Sequence, residues 1–357
     1  MILSSIQCSS FSLRLKDAVR LGDTVCHHRE GLLFSLSNEQ GHTGWGEASP
    51  LPGFSIRSLE EVSALGKTLA GRLKERTVAE ARQLLTPESA GDPAIYTAFH
   101  HALQGLSRYN QPEGMLSLCM LLDGSVETME QSFQSGLERG YKDFKVKVGR
   151  QSADHESTFI HALVARLPEG GKLRLDANRR WDYEAARSFC LSLPREGIEF
   201  LEEPLKDWSR LGELQHETDI PCAVDETLQD MSHALLSPSS RIRNDLLQAG
   251  KKTAEEARAL VWKPSLSFPP EVLGIESSEP CILSSAYESG VGILAVLHEA
   301  CQRPGRGPAV GVDTYSRLTE DLLMTDLPLD RGSVSASTLF LSDNNPNPQY
   351  LQECWRV

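Results

Sequence analysis

The chain has 357 residues and a formal charge of −13, enough length for one large α/β domain or two domains to bury a core without disulfide or metal staples. An acid excess of this size is repelled by nucleic-acid backbones and by anionic membrane surfaces, so neither is expected as the main partner. Eight cysteines lie scattered with no CxxC pair, which spells neither a zinc motif nor a redox motif. The opening MILSSIQCSSFSLRL lacks the pattern of a secretory leader and no apolar run is long enough to cross a bilayer, so a soluble protein of the reducing cytoplasm is expected.

Residues 1–115 read as an α+β domain. Irregular strands, GLLFSLSNEQ and TGWGEASPL, precede helix-compatible stretches SLEEVSALGKTLAGRL, TVAEARQLL and AIYTAFHHALQGLSRY. The Gly/Pro-rich GWGEASPLPGFS (44–55) between strands and helices is a candidate for a loop that reaches over another surface.

From 116 to about 315, short β-like runs alternate with amphipathic stretches at a repeat of roughly 25 to 30 residues, the spacing of βα units. The runs are SLCMLLDG, FKVKVG, LRLDAN, IEFLEEP, CAVDET, LVWKPS, CILSSAY and AVGVDT. Eight in series suggest a closed parallel barrel more than an open sheet. The tail, 316–357, is rich in Asp, Asn and Pro and is expected to pack back on the first domain.

Within YKDFKVKVGR (141–150), Lys145 and Lys147 alternate with Phe144, Val146 and Val148. Alone, that pattern describes an edge strand with one solvated face. The units that follow argue otherwise, because five in succession place an ionisable residue at the carboxyl end of the strand: Lys147, Asp176, Glu202, Asp225 and Lys263. Barrel enzymes build their sites at that end. Alternation puts Asp176 on one face with Arg174 and Asn178, whereas at LEEP either Glu202 or Glu203 fits. Three carboxylates from successive strands are the hard oxygen donors a divalent cation takes, with Mg2+ the first candidate. Flanking lysines suit proton abstraction beside a carboxylate, a neighbouring cation lowering the pKa of the base.

In these motifs and their order the chain resembles the enolase superfamily, and more closely its o-succinylbenzoate synthase members. The resemblance rests on GWGEASPLPGFS, KVK, LRLDAN, FLEEP, VDET, the KPS lysine, SSAYESGVG and GVDT. It implies an α/β, enolase-like fold: an N-terminal α+β capping domain on a modified (β/α)7β barrel of TIM type. It further implies Mg2+, with Mn2+ as the alternative, on Asp176, Glu202 and Asp225. Lys147 would be the base and then the acid, with Lys145 tuning it and Lys263 facing the enediolate. The implied reaction is dehydration of 2-succinyl-6-hydroxy-2,4-cyclohexadiene-1-carboxylate to 2-succinylbenzoate, a step toward menaquinone or phylloquinone.

Ser284 and Ser285 are candidates for the succinyl carboxylate, although turn chemistry explains them as well. Pro52, Gly53 and Phe54 are candidates for the lid, and Arg174 and Asn178 for contacts to the substrate. A small-molecule carboxylate is the expected partner, and the sequence leaves the oligomeric state open. A dipeptide epimerase or N-acylamino acid racemase would use the same lysines and acids, as would a muconate-type cycloisomerase. A non-catalytic barrel would be expected to have lost one of them. One departure from the pattern is SFPPEVLGIESSEP after Lys263, whose prolines leave little room for the usual helix.

Overall fold

The computed structural model describes residues 1–106, 114–303, 307–341 and 345–357. The chain opens with a long antiparallel hairpin, β1 (Leu3–Leu21) and β2 (Thr24–Asn38), followed by β3 (Thr43–Ala48). Helices α1 (Leu59–Leu73), α2 (Val78–Leu84), α3 (Pro87–Ala90) and α4 (Pro93–Gly105) come next. The first three start at Ser58, Thr77 and Thr86, each with a side chain accepting the N3 backbone N–H. That bond satisfies a donor the helix itself cannot. The last three residues of AIYTAFHHALQGLSRY lie outside the described residues.

Leu3, Ile6 and Phe34 of the sheet bury against Val62, Leu69, Ile95 and Phe99 of the helices in one apolar core. Glycine decides how closely α4 approaches β3. A Cβ at Gly46 would meet the Ala98 carbonyl oxygen at 1.8 Å, and one at Gly44 would meet that of Ala102 at 1.9 Å.

The second body begins with β4 (Met115–Ser117) and β5 (Cys119–Leu122), then α5 (Val126–Glu138), β6 (Asp143–Lys147), α6 (Ala153–Val164), β7 (Leu173–Asp176) and α7 (Tyr183–Leu191). It continues through β8 (Ile198–Glu202), α8 (Leu211–Thr218), β9 (Cys222–Val224), α9 (Glu226–Leu236), α10 (Arg241–Glu256), β10 (Ala259–Trp262), β11 (Cys281–Leu283) and α11 (Gly290–Gln302). Strands β5 to β11 form one parallel sheet in chain order. Phe200, Ala223, Ala259, Val261 and Ile282 fill its interior.

The eighth predicted strand, AVGVDT, is reduced to two isolated bridges, Leu118 with Val310 and Ser284 with Gly311. They still close the ring, because Cys119 N donates to Val310 O and Gly311 N to Leu283 O, both at 2.9 Å. The fold is that of a modified TIM barrel beneath an N-terminal α+β layer.

Between Lys263 and Cys281 there are only turns. The gap is covered from the other layer: the Tyr96 ring of α4 meets Phe268 edge-on at 5.6 Å, and Thr97 Oγ1 donates to Pro264 O. Phe268, Leu273 and Ile275 bury there in place of a helix face. In the tail, β12 (Ser333–Ser335) pairs with β4, and α12 (Ala336–Leu341) follows it. The last strand, β13 (Gln352–Arg356), pairs with β1. Among the described residues no helix is long and apolar enough to cross a membrane.

Candidate active site

Strand register brings the charged residues together. Lys147 stands beside Asp176 across β6 and β7, and Asp176 beside Glu202 across β7 and β8. Lys147 Nζ donates to Asp176 Oδ2 at 2.6 Å and to Asn178 Oδ1 at 2.8 Å. Lys145 Nζ reaches both Glu202 oxygens at 2.7 and 2.8 Å, and Asp176 Oδ2 at 2.8 Å. From the far side, just after β10, Lys263 donates to Asp225 Oδ2.

The ambiguity at LEEP resolves by contact. Glu202 faces the lysines, whereas Glu203 turns away to accept from Arg179 Nε, Asp225 N and Thr227 N at 2.7–2.9 Å. Glu203 therefore holds the strand ends in place from behind.

Asp176, Glu202 and Asp225 are almost fully buried. Burial raises a carboxyl pKa, but at Asp176 the pull of Lys145, Lys147 and Lys263 outweighs it and holds the group well below its ordinary value. At Glu202, burial and then the Asp176 charge prevail and push the carboxyl up. Glu226, half-buried beside Asp225 and Glu203, is pushed up by desolvation and then by those two charges. Burial works against the Lys145 and Lys263 ammoniums, yet the surrounding carboxylates hold both above the ordinary amine value.

These groups open into a cavity of about 650 Å³. Its roof is the distal end of the β1–β2 hairpin, from Asp17 to Gly22, with Leu51 and Phe54 of the predicted loop. Hairpin and loop touch through glycines: a Cβ at Gly22 would lie 3.3 Å from Gly53 Cα, and both residues have positive φ. Leu21 and Leu51 pack on Leu266 and Ala286 of the barrel, with Phe54 and Tyr287 beside them.

Buried polar groups fix this roof to the barrel. Arg29 Nε donates to Tyr287 O at 3.2 Å and Nη1 to Pro50 O at 2.8 Å, while Nη2 donates to Ser49 O. Glu47 accepts from Ser289 N and Gly292 N at the start of α11, and from the Ser289 and Ser49 hydroxyls. Glu288 accepts from Ser265 Oγ and Ala286 N, tying the end of β10 to the loop after β11. Tyr287, in the middle of this network, has φ +66°, a strained value for a bulky residue.

The remaining predicted site residues divide. Ser284 and Ser285 line the cavity, but both hydroxyls donate to Gly311 O, at 3.3 and 3.1 Å. Asn178 holds Lys147 and donates to Glu226 Oε1 at 2.7 Å. Arg174 lines the cavity as well, with its guanidinium held by Glu199 at 2.6 Å and by Ala309 O at 2.8 Å. Pro52 faces a separate cavity of about 530 Å³ behind the hairpin. Sequence reading missed the hairpin tip, Arg29, Glu47, Glu226 and Glu288. Only the Leu-Gly-Asp turn at 21–23 signalled the first of them.

Comparison with known proteins fits this arrangement. Residues 3–89 match the family model "MenC, N-terminal domain", and residues 128–236 match "Enolase C-terminal domain-like". An o-succinylbenzoate synthase of Enterobacter sp. (strain 638) is 31% identical over 327 residues, covering 89% of this chain and 92% of that protein. The chain belongs to the o-succinylbenzoate synthase family.

A family member from Thermosynechococcus vestitus is 34% identical over 219 residues, 60% of this chain and 66% of that protein. Protein PHYLLO of Arabidopsis thaliana is 26% identical over 97% of this chain, which spans 23% of its length. The solved o-succinylbenzoate synthase of Thermosynechococcus elongatus, complexed with Mg in its active site, superposes with TM-score 0.70 at 27% identity over 90% of this chain and 96% of that one. An L-Ala-D/L-Glu epimerase of Bacillus subtilis superposes over both chains with TM-score 0.73 at 20% identity, which shows shared fold.

Proposed function

We propose that this chain is a metal-dependent hydro-lyase that dehydrates 2-succinyl-6-hydroxy-2,4-cyclohexadiene-1-carboxylate to 2-succinylbenzoate. The observation that carries the reading is the set of three buried strand-end carboxylates with Lys147 at one side and Lys263 at the other, beneath the hairpin and loop.

The site suits a divalent cation by its charge. Asp176, Glu202, Asp225 and Glu226 face three lysines, and Glu226 Oε2 is buried with no hydrogen-bond partner. Among the described residues, no three acidic, His or Cys side chains are gathered as a formed metal centre; Lys145 bridges Asp176 and Glu202, and Lys263 pairs with Asp225. The donors are nonetheless the oxygen set that Mg2+ takes, and Asp176, Glu202 and Asp225 would hold it. Bound there, the cation supplies Lewis-acid stabilisation to the oxygens of the substrate's ring carboxylate.

The protein's own residues do the rest. Lys147, steered by Asp176 and Asn178, takes the proton alpha to the ring carboxylate, and the electron pair passes into that carboxylate as an enediolate. Lys263 sets its ammonium against the charge that develops. The pair then returns to form the ring double bond as the C6–O bond breaks. Lys147 gives its proton to the departing hydroxyl, so the products are one water and an aromatic ring. The roof keeps bulk water from the enediolate.

The eight cysteines are free, in keeping with a reducing compartment such as the cytoplasm. Turnover of the cyclohexadiene carboxylate with Mg2+, followed by loss of diene absorbance and abolished by EDTA, tests the proposal. The same lysines and acids suit an epimerase, so racemisation of a dipeptide without any dehydration would overturn it.

A further inference from the structure

Strand β13 is an edge of the N-terminal sheet, and its strand partner there is β1. The ladder sets Arg356 opposite Gln7, Trp355 opposite Cys8, Glu353 opposite Ser9 and Gln352 opposite Ser10. Cys354 is skipped, which makes it the extra residue of a β-bulge. At a bulge two residues of one strand oppose one of its partner, so Cys354 lies between Trp355, which faces Cys8, and Glu353, which faces Ser9. Burial, and after it the nearby Cys354 sulfur, push the Cys8 thiol well up.

Their surroundings differ. Cys8 is fully buried in the core that Trp355 packs against, where Trp355 Nε1 donates to Ser63 Oγ at 3.0 Å. Cys354 is exposed, whereas the other six thiols are buried or half-buried. A disulfide spans about 4.4–6.8 Å between Cα atoms, and facing positions on antiparallel strands lie about 4.5–5.5 Å apart, which leaves room to reach the residue beside the facing one.

We propose that Cys8 and Cys354 are a dithiol that a peroxide converts to an intramolecular disulfide, joining the first strand of the chain to its last. The Cys354 thiolate attacks one peroxide oxygen, the O–O bond breaks, and the sulfur is oxidised to a sulfenic acid as the second oxygen leaves as water. The Cys8 sulfur then attacks the Cys354 sulfur; the S–S bond forms, the S–O bond breaks, and the hydroxide leaves with the Cys8 proton as water. Two thiols and one hydrogen peroxide give one disulfide and two waters. In a reducing compartment the pair rests as thiols, and its state reports peroxide. Once formed, the link closes nearly the whole chain into one loop and restricts the unfolded state strongly. It also fixes an edge strand that a four-pair ladder otherwise holds.

The test treats the whole folded protein with hydrogen peroxide, blocks remaining thiols, and maps peptides by mass spectrometry without reduction. The expected product is a linked pair containing Cys8 and Cys354, lighter by about 2 Da than the two thiol peptides. It should disappear with dithiothreitol and be accompanied by a reversible rise of about 4 °C or more in the unfolding midpoint. Cys354→Ser, at an exposed position that leaves the core intact, should show neither change. Cys354 recovered as sulfinic or sulfonic acid while Cys8 is blocked as a thiol would overturn the proposal. So would disulfide-linked dimers through Cys354.

Discussion

Lys147 and Asp176 stand side by side on neighbouring strands, the lysine ammonium 2.6 Å from a carboxylate that is itself fully buried. That contact aims the lysine, because Asn178 holds the same nitrogen from a second direction at 2.8 Å. A flexible side chain is thereby fixed at the mouth of the cavity, where a base has to be.

On the opposite side, Lys263 is the partner of Asp225. Lys263→Met should lower kcat by about two to three orders of magnitude through loss of a charge aimed at the enediolate, with KM changing far less. Steady-state kinetics check this, alongside circular dichroism to establish that the variant is folded. An unchanged kcat would remove Lys263 from the mechanism.

Cation binding to the folded state must raise apparent stability, by about 2.7 kcal/mol at a hundredfold excess over Kd. Thermal melts with increasing Mg2+ should show that rise in the native protein. Asp225→Asn removes a donor charge and should need at least about tenfold more Mg2+ for the same shift. Equal Mg2+ dependence in both proteins would mean that the ion binds elsewhere.

Arg29 is buried and spends its donors on backbone carbonyls of the roof and of the Tyr287 loop. Arg29→Met leaves those carbonyls without their donor, a cost of about 2–4 kcal/mol. The site beneath keeps its lysines and acids, so KM should rise about tenfold or more while Mg2+ affinity stays constant. Arg29→Lys should recover part of the loss. If KM stayed at the native value in a folded Arg29→Met protein, the roof would not depend on this contact.

Asp92 begins α4, accepting from Ala94 N at 2.8 Å, and burial pushes its carboxyl up to about 6 against that hydrogen bond. A carboxyl raised on folding binds its proton more tightly in the folded state. Its contribution is complete below the unfolded value of about 3.9 and is lost as pH rises through the folded value. The native protein should therefore lose up to about 3 kcal/mol relative to Asp92→Asn between pH 4 and pH 7. Urea unfolding of both across that range measures it, and parallel curves would contradict the assignment.

Much of the site was legible because barrel chemistry sits at strand ends, and the period of two along a strand fixes which residues share a face. Lys147, Asp176, Asp225 and Lys263 could be placed that way. The choice between Glu202 and Glu203 could not, since Glu203 leaves the strand with positive φ and parity fails where a strand ends. Arg174 shows what parity leaves open: it lines the cavity on the face that parity gives it, but Glu199 and the Ala309 carbonyl, which hold its guanidinium, are distant in sequence.

The roof was hardest to read. Arg29, Glu47 and Glu288 are distant in sequence, and nothing local distinguishes them from surface charges until the two layers meet. The missing helix after Lys263 was visible in its prolines. Its replacement by Tyr96 and Thr97 of α4 was not, because that contact joins segments from different layers.

In the proposed mechanism Lys147 carries both proton transfers at a metal site it does not build. The most direct measurement compares turnover of the cyclohexadiene carboxylate by native protein and Lys147→Ala, with Mg2+ binding measured by calorimetry on both. The expected result is rapid formation of 2-succinylbenzoate by the native protein, a loss of about three orders of magnitude or more in the variant, and Mg2+ affinity within a few-fold of native. Near-native turnover by Lys147→Ala with Mg2+ bound would contradict it.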